Sequence, residues 1–150
     1  MTDRSFVEAN RAATAEIRAL VEPLTDAELG VDLGEGWTVS MALAHLAFWD
    51  EWHVARWVYA AGQGQLAPPA ADTEVTNRAN EALVSTWRAL PPKAAVALML
   101  TAAEAVDEYT ADLADEALDA AREKGGSRWF ERFPHRQDHI GQISRALGRG

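Results

Sequence analysis

Residues 36–52 read GWTVSMALAHLAFWDEW, and the helical character continues to about residue 61. Stepping 100° per residue from His45 places Met41, Phe48, Trp49, Trp52 and Tyr59 within about 60° of it. Leu43, Leu46, Val54 and Trp57 cover other directions. A helix over 39–61 that is apolar around most of its circumference is buried on more than one side. It is therefore central to a helical bundle, or it also meets a second subunit. Thr38 or Ser40 is placed to cap its start.

Working outward, the neighbouring segments are helical as well. Residues 3–22 carry Phe6, Ile17, Leu20 and Val21 among charges, an amphipathic pattern closed by Pro23. Thr25 stands three residues before Glu28, a capping-box signature for a short turn, and GVDLGEGW reads as a glycine-broken loop. Downstream, GQGQLAPPAAD is a linker. Residues 73–89 resume helical spacing through Val75, Leu83, Val84 and Trp87. Pro91 and Pro92 force a break and open a helix over about 94–121. EKGGSRW breaks the chain again, and residues 131–147 form the last helix. No repeat or strand-like alternation is present. The expectation is an all-α fold, a four-helix bundle with extra short pieces, in one domain over 1–150.

Composition narrows the function classes. The net charge of −9 and pI near 4.8 argue against nucleic acid and against an anionic membrane surface, since no basic patch exists to displace counterions. The longest apolar run, Ala94 to Ala103, is about half the length a bilayer span needs. The N-terminus is charged from residue 3 and lacks the apolar core of a signal peptide, so a cytoplasmic setting is expected. With no cysteine in the chain, disulfides, thiolate metal sites and a cysteine nucleophile are excluded. Any sulfur chemistry must use an imported thiol.

The chemistry-bearing pattern is histidine. His135 and His139, in PHRQDHIGQI, are four apart on one face of the last helix, where two ring nitrogens can converge on one cation. They lie on the shoulder of the stripe formed by Phe133, Ile140, Ile143 and Leu147. An HxxxH pair also arises by chance on surface-leaning helices, and a lone histidine such as His45 is commonly a packed side chain. Three of four histidines on inward-leaning faces share a need for a partner, and a metal supplies one. Neutral imidazoles suit zinc, nickel, iron or copper, not calcium or magnesium. His53 reads as an interface or surface residue, and Asp138 as a residue that orients a ligand or is simply solvated.

These residues carry a resemblance. GWTVSMALAHLAFWDEW followed at distance by PHRQDHIGQISRAL resembles the DinB-like family of four-helix bundles and the related N-terminal domain of mycothiol-dependent maleylpyruvate isomerases. The resemblance implies that Trp37, Thr38 and Val39 are the family's Trp-Ser/Thr-Val segment opening the second helix. It implies His45 as first metal ligand, with His135 and His139 as the second and third. It further implies a divalent transition metal, zinc or nickel foremost, and a low-molecular-weight thiol such as mycothiol or bacillithiol as co-substrate in S-transfer.

The sequence ends at Gly150, so the isomerase's further C-terminal domain, and with it that particular reaction, is not expected. Trp49 and Trp52 flank His45 and could wall a pocket, and Arg56 faces the same side and could meet an anionic substrate. Arg132 and Arg136 are less well placed. Two other readings stay open: a metal-dependent hydrolase, with only Asp138 or Glu104 reachable as base, and a non-catalytic metal- or small-molecule-binding stress protein. The all-round apolar second helix and the family's habit point to a homodimer, with a small molecule as substrate.

Overall fold

The computed structural model describes residues 1–149. The element order is α1 (Phe6–Val21), α2 (Asp26–Leu29), β1 (Asp32–Gly34), β2 (Trp37–Thr38), α3 (Val39–Gly62), α4 (Thr73–Ala89), α5 (Pro92–Ala111), α6 (Asp115–Glu123) and α7 (Phe133–Ala146), with a 3₁₀ turn at Ser127–Trp129. The fold is all-α in class. Helix α3 packs most extensively on α5, α1 lies against α5 and α7, and α7 also meets α3. These four make the bundle, and α4 lies along α3. No helix among the described residues is long and apolar enough to cross a membrane.

The caps follow local chemistry. Thr25 and Glu28 form the reciprocal capping box of α2. The hydroxyl of Thr38 accepts from the Met41 amide at 3.2 Å and starts α3, and Pro92 opens α5. The first half of α3 is buried almost all round, from Val39 through Ala47. Its second half is one-sided, leaving Trp52, Val58 and Tyr59 exposed.

Two expectations need correction. The stretch GVDLGEGW is a small antiparallel hairpin in which Asp32 pairs with Thr38 and Gly34 with Trp37. Its two central residues, Glu35 and Gly36, both have positive φ, 54° and 80°, as a tight primed turn requires. The long helix expected over 94–121 is broken between Ala111 and Asp115. Arg4 causes the break to hold: its guanidinium donates to the carbonyls of Ala111 (3.1 Å) and Leu113 (2.6 Å) and pairs with Asp115. The Ala111 carbonyl is one of the orphans of the helix end and that of Leu113 lies just beyond it, and a residue more than one hundred positions away satisfies both.

The core is layered along the bundle axis. One apolar cluster holds Ile17, Val21, Leu43, Leu46, Met99 and Ile143, and a second holds Phe6, Trp57, Leu118, Trp129 and Phe130. Between them, in chain order on every bundle helix, lie polar residues: Asn10 and Thr14 on α1, Asp50 on α3, Asp107 on α5, Arg136 on α7 and Arg132 at its cap. This polar layer positions the site.

Candidate metal centre

Arg136 is 1% exposed, a cation inside the bundle. Its guanidinium donates to Asp50 (3.1 Å), Asp107 (2.8 Å) and the Thr14 hydroxyl (2.9 Å). Arg132 donates through Nε to the other oxygen of Asp50 at 2.8 Å. Burial raises the Asp107 carboxyl above its ordinary range, and the Arg136 cation works against that shift. Buried charges persist only when paired and hydrogen-bonded, and here two arginines answer two aspartates. The side-chain oxygen of Asn10 accepts from the amides of Arg132 and Phe133, each at 2.9 Å, which caps α7 from across the bundle. From sequence, Arg132 and Arg136 are less well placed than Arg56 to meet an anionic substrate; the structure commits them to Asp50 and Asp107, where they anchor α7.

From that anchor α7 presents His135 and His139 to His45 on α3. The Nε2 atoms of His45 and His135 are 3.0 Å apart. Ring centroids are separated by 5.0 Å (His45–His135), 5.3 Å (His45–His139) and 5.1 Å (His135–His139). One nitrogen from each of the three lies within 4.8 Å of the others. Two nitrogens each about 2.0–2.1 Å from one cation are about 3 Å apart, so the spacing suits a shared metal.

Two of the three outer ring nitrogens have hydrogen-bond partners. His139 Nδ1 faces the amide oxygen of Gln142 at 3.0 Å, which leaves the Nε2 lone pair free. His135 Nδ1 accepts from Arg132 Nη2 at 3.1 Å. Because a guanidinium only donates, the Nε2 proton of His135 points at His45, and a cation would compete with that proton. His45 Nδ1 is buried with no hydrogen-bond partner. Trp37, Trp49 and Trp87 surround the His45 ring, with centroids 5.2 to 6.4 Å away.

This enclosure keeps the imidazoles neutral. Burial, aided by His139, pushes His45 down to about 4. Burial first, then the Arg132 guanidinium, pushes His135 far below the usual range, and burial also lowers His139. Neutral imidazole is the form that ligates. Three neutral imidazole nitrogens brought within 4.8 Å of one another fit a divalent transition metal.

Two clefts meet at the triad. A cleft of ≈ 480 Å³ beside the hairpin is lined by Glu35, Trp37, His45, His139 and Gln142. One of ≈ 600 Å³ beside α4 is lined by His45, Trp49, Trp52, His53, Arg56 and His135, among others. Trp49, Trp52 and Arg56 thus share a cleft with His45. His53, read from sequence as an interface or surface residue, also faces this cleft, and burial lowers its imidazole well below the usual range.

Asp138 is exposed, and Glu104 lies in a separate groove between α1 and α5, paired with Arg18. Neither of these two carboxylates lines either cleft. The missed pair, Asp50 and Asp107, had a signal in the sequence: each interrupts an apolar helical run, AHLAFWDEW and TAAEAVDEY.

A family model described as the mycothiol maleylpyruvate isomerase N-terminal domain matches residues 10–139. The match runs from Asn10 of the polar layer to His139 of the triad. Comparison with curated proteins and with solved structures gives no match. With most of its length covered, and a helical fold and histidine cluster in keeping with the match, the chain belongs to the mycothiol maleylpyruvate isomerase N-terminal domain family, within the DinB-like superfamily.

Proposed function

We propose that His45, His135 and His139 hold a divalent transition metal, zinc or nickel foremost, and that the site serves S-transfer from a low-molecular-weight thiol such as mycothiol or bacillithiol. The supporting observation is the convergence of three ligand nitrogens within 4.8 Å at the junction of two clefts. A bound divalent cation supplies the charge that holds a thiol as thiolate near neutral pH. The protein's part is positioning. Gln142 orients His139 with its Nε2 lone pair free, the tryptophans around His45 exclude water, and the absence of cysteine leaves no internal thiol to compete. In the reaction the sulfur forms a bond to an electrophilic carbon. The leaving group departs with its bonding pair, and the thiol proton passes to solvent.

The open clefts favour this reading over a purely structural metal, which wants a closed shell. Hydrolysis is less well served, because neither Asp138 nor Glu104 lines the clefts and the carboxylate that does, Glu35, is exposed on the hairpin turn. We take the chain over 1–150 as one domain in a cytoplasmic homodimer, with the exposed Val58, Tyr59 and Leu66 as candidates for the dimer contact. A monodisperse monomer by light scattering would remove the dimer from the proposal.

Metal analysis of the wild type beside His45→Ala, His135→Ala and His139→Ala tests the centre: about one metal per chain is expected in the wild type and none in the variants. Cobalt-loaded protein should then develop a thiolate-to-cobalt charge-transfer band on adding mycothiol. Metal binding without such a band would leave a metal protein that is not a thiol transferase.

A further inference from the structure

We propose that the pocket between α3, the segment 69–72 and the start of α4 is a binding site for an uncharged aromatic ring. It adds to the reading above by giving one reactant a neutral, apolar end. The pocket itself rests on its own lining and not on the metal.

The pocket holds ≈ 210 Å³. Its walls are Phe48, Trp49 and Trp52 of α3, the strap 69–71, and Val75 and Ala79 of α4. Trp52 and Val75 are 40% and 58% exposed, so two large apolar side chains on different helices line one space without filling it. Apolar surface gathered in a concave site is where small molecules bind. Phe48 and Trp52 lie within 22° of parallel with centroids 6.3 Å apart, and Trp49 stands at 83° and 80° to them. This three-ring corner offers both a face and an edge to an incoming ring. A cavity of about 150 Å³ accommodates benzene, so the pocket takes one ring with a small substituent.

The polar groups of the lining are engaged elsewhere. The Thr76 hydroxyl donates to the Asp72 carbonyl at 3.1 Å. One carboxylate oxygen of Asp72 caps α4, accepting from the amides of Glu74 and Val75 at 2.8 and 3.3 Å. The Trp49 indole donates to Asn80 at 2.8 Å. Arg56 donates through Nη2 to the Pro69 carbonyl, lies over the Trp129 ring at 5.0 Å, and keeps its Nη1 buried out of a ligand's reach. The guanidinium therefore braces the strap instead of receiving an anion. A carboxylate entering here would shed its water without gaining a partner.

Trp49, Trp52 and Arg56 also line the ≈ 600 Å³ cleft that reaches His45 and His135. A molecule anchored by its ring in the pocket extends its other end along that cleft.

The test uses the metal-free full chain, with anisole as neutral probe and benzoate as its charged counterpart. Binding is followed by tryptophan fluorescence and by the methyl NMR signals of Ala70, Ala71 and Ala79. Anisole is expected to saturate, to shift those three methyls, and to bind at least about ten-fold tighter than benzoate. Val75→Asp should weaken anisole by about ten-fold or more. Its carboxylate falls in the first turn of α4, where the helix N-terminus favours it, so the variant is expected to fold. Trp52→Ala should weaken anisole about ten-fold. Leu98→Asp, at an exposed position of α5 outside the pocket, should change nothing.

Benzoate binding as tight as anisole, a signal that does not saturate, or shifts confined to other methyls overturns the site. So does anisole affinity indifferent to both Val75→Asp and Trp52→Ala. Each readout is taken without metal, so its failure leaves the metal centre standing. Absence of metal from the wild type would likewise leave the pocket standing.

Discussion

Replacing Asp50 by asparagine probes the polar layer most directly. Asp50 is 1% exposed and accepts from Arg132 at 2.8 Å and Arg136 at 3.1 Å. Removing one partner of a buried ion pair costs about 3–5 kcal/mol, because the other charge is stranded. Arg136 keeps Asp107 and Thr14, whereas Arg132 keeps only the Arg128 carbonyl and His135. Asparagine retains an oxygen acceptor, so Asp50→Asn should fall near about 3 kcal/mol and Asp50→Ala near about 5. At about 2–4 °C per kcal/mol for a chain this size, the asparagine variant should melt roughly 6–12 °C lower.

Urea and thermal unfolding followed by circular dichroism give both numbers. Adding Arg132→Met should restore part of the stability by removing the stranded charge. A loss below about 1 kcal/mol, the size of a surface pair, would refute a dry polar layer.

Burial depresses His45 to about 4, against 6.5 for an exposed imidazole, so the unfolded chain binds more protons between those values. Stability of the metal-free protein should be full above pH 6.5 and fall as the pH drops towards 4. An unfolding midpoint that is flat from pH 7 to 5 would contradict this. Asn10→Ala removes the acceptor for two amides at the start of α7 and should cost about 1–2 kcal/mol by urea titration. Gly126→Ala would set a methyl 2.3 Å from the Trp129 ring, so a loss of about 1–3 kcal/mol and a shifted tryptophan emission are expected. Gln142→Leu should weaken metal binding about ten-fold with little change in melting temperature, as read by competition with a chelating dye.

The bundle was legible because its signals are local. Apolar spacing, the Thr25–Glu28 box, Thr38 before α3 and Pro92 at α5 each act within a turn or two. So was the juxtaposition of the three histidines, through the side of the helix each occupies. What escaped depends on contacts between distant residues. The end of α5 is held by Arg4, and no feature of residues 94–121 announces it. The hairpin at 32–38 is too short for alternation to show. The ion pairs of Arg132 and Arg136 also escaped, because they are made with Asp50 and Asp107 on other helices.

The polar layer also acts as a detent for α7. Helices that meet only through leucine and isoleucine can slide past each other by a turn with modest penalty, since one aliphatic side chain replaces another. A slide of one turn is about 5.4 Å. Here it would set Ile140 opposite Asp50 and Asp107, carry Arg136 away from both, and leave three charges unanswered. It would also exceed the 4.8 Å within which the three ligand nitrogens lie. The buried charges therefore index α7 against α3, and the height of two histidines relative to the third is set before any ion arrives.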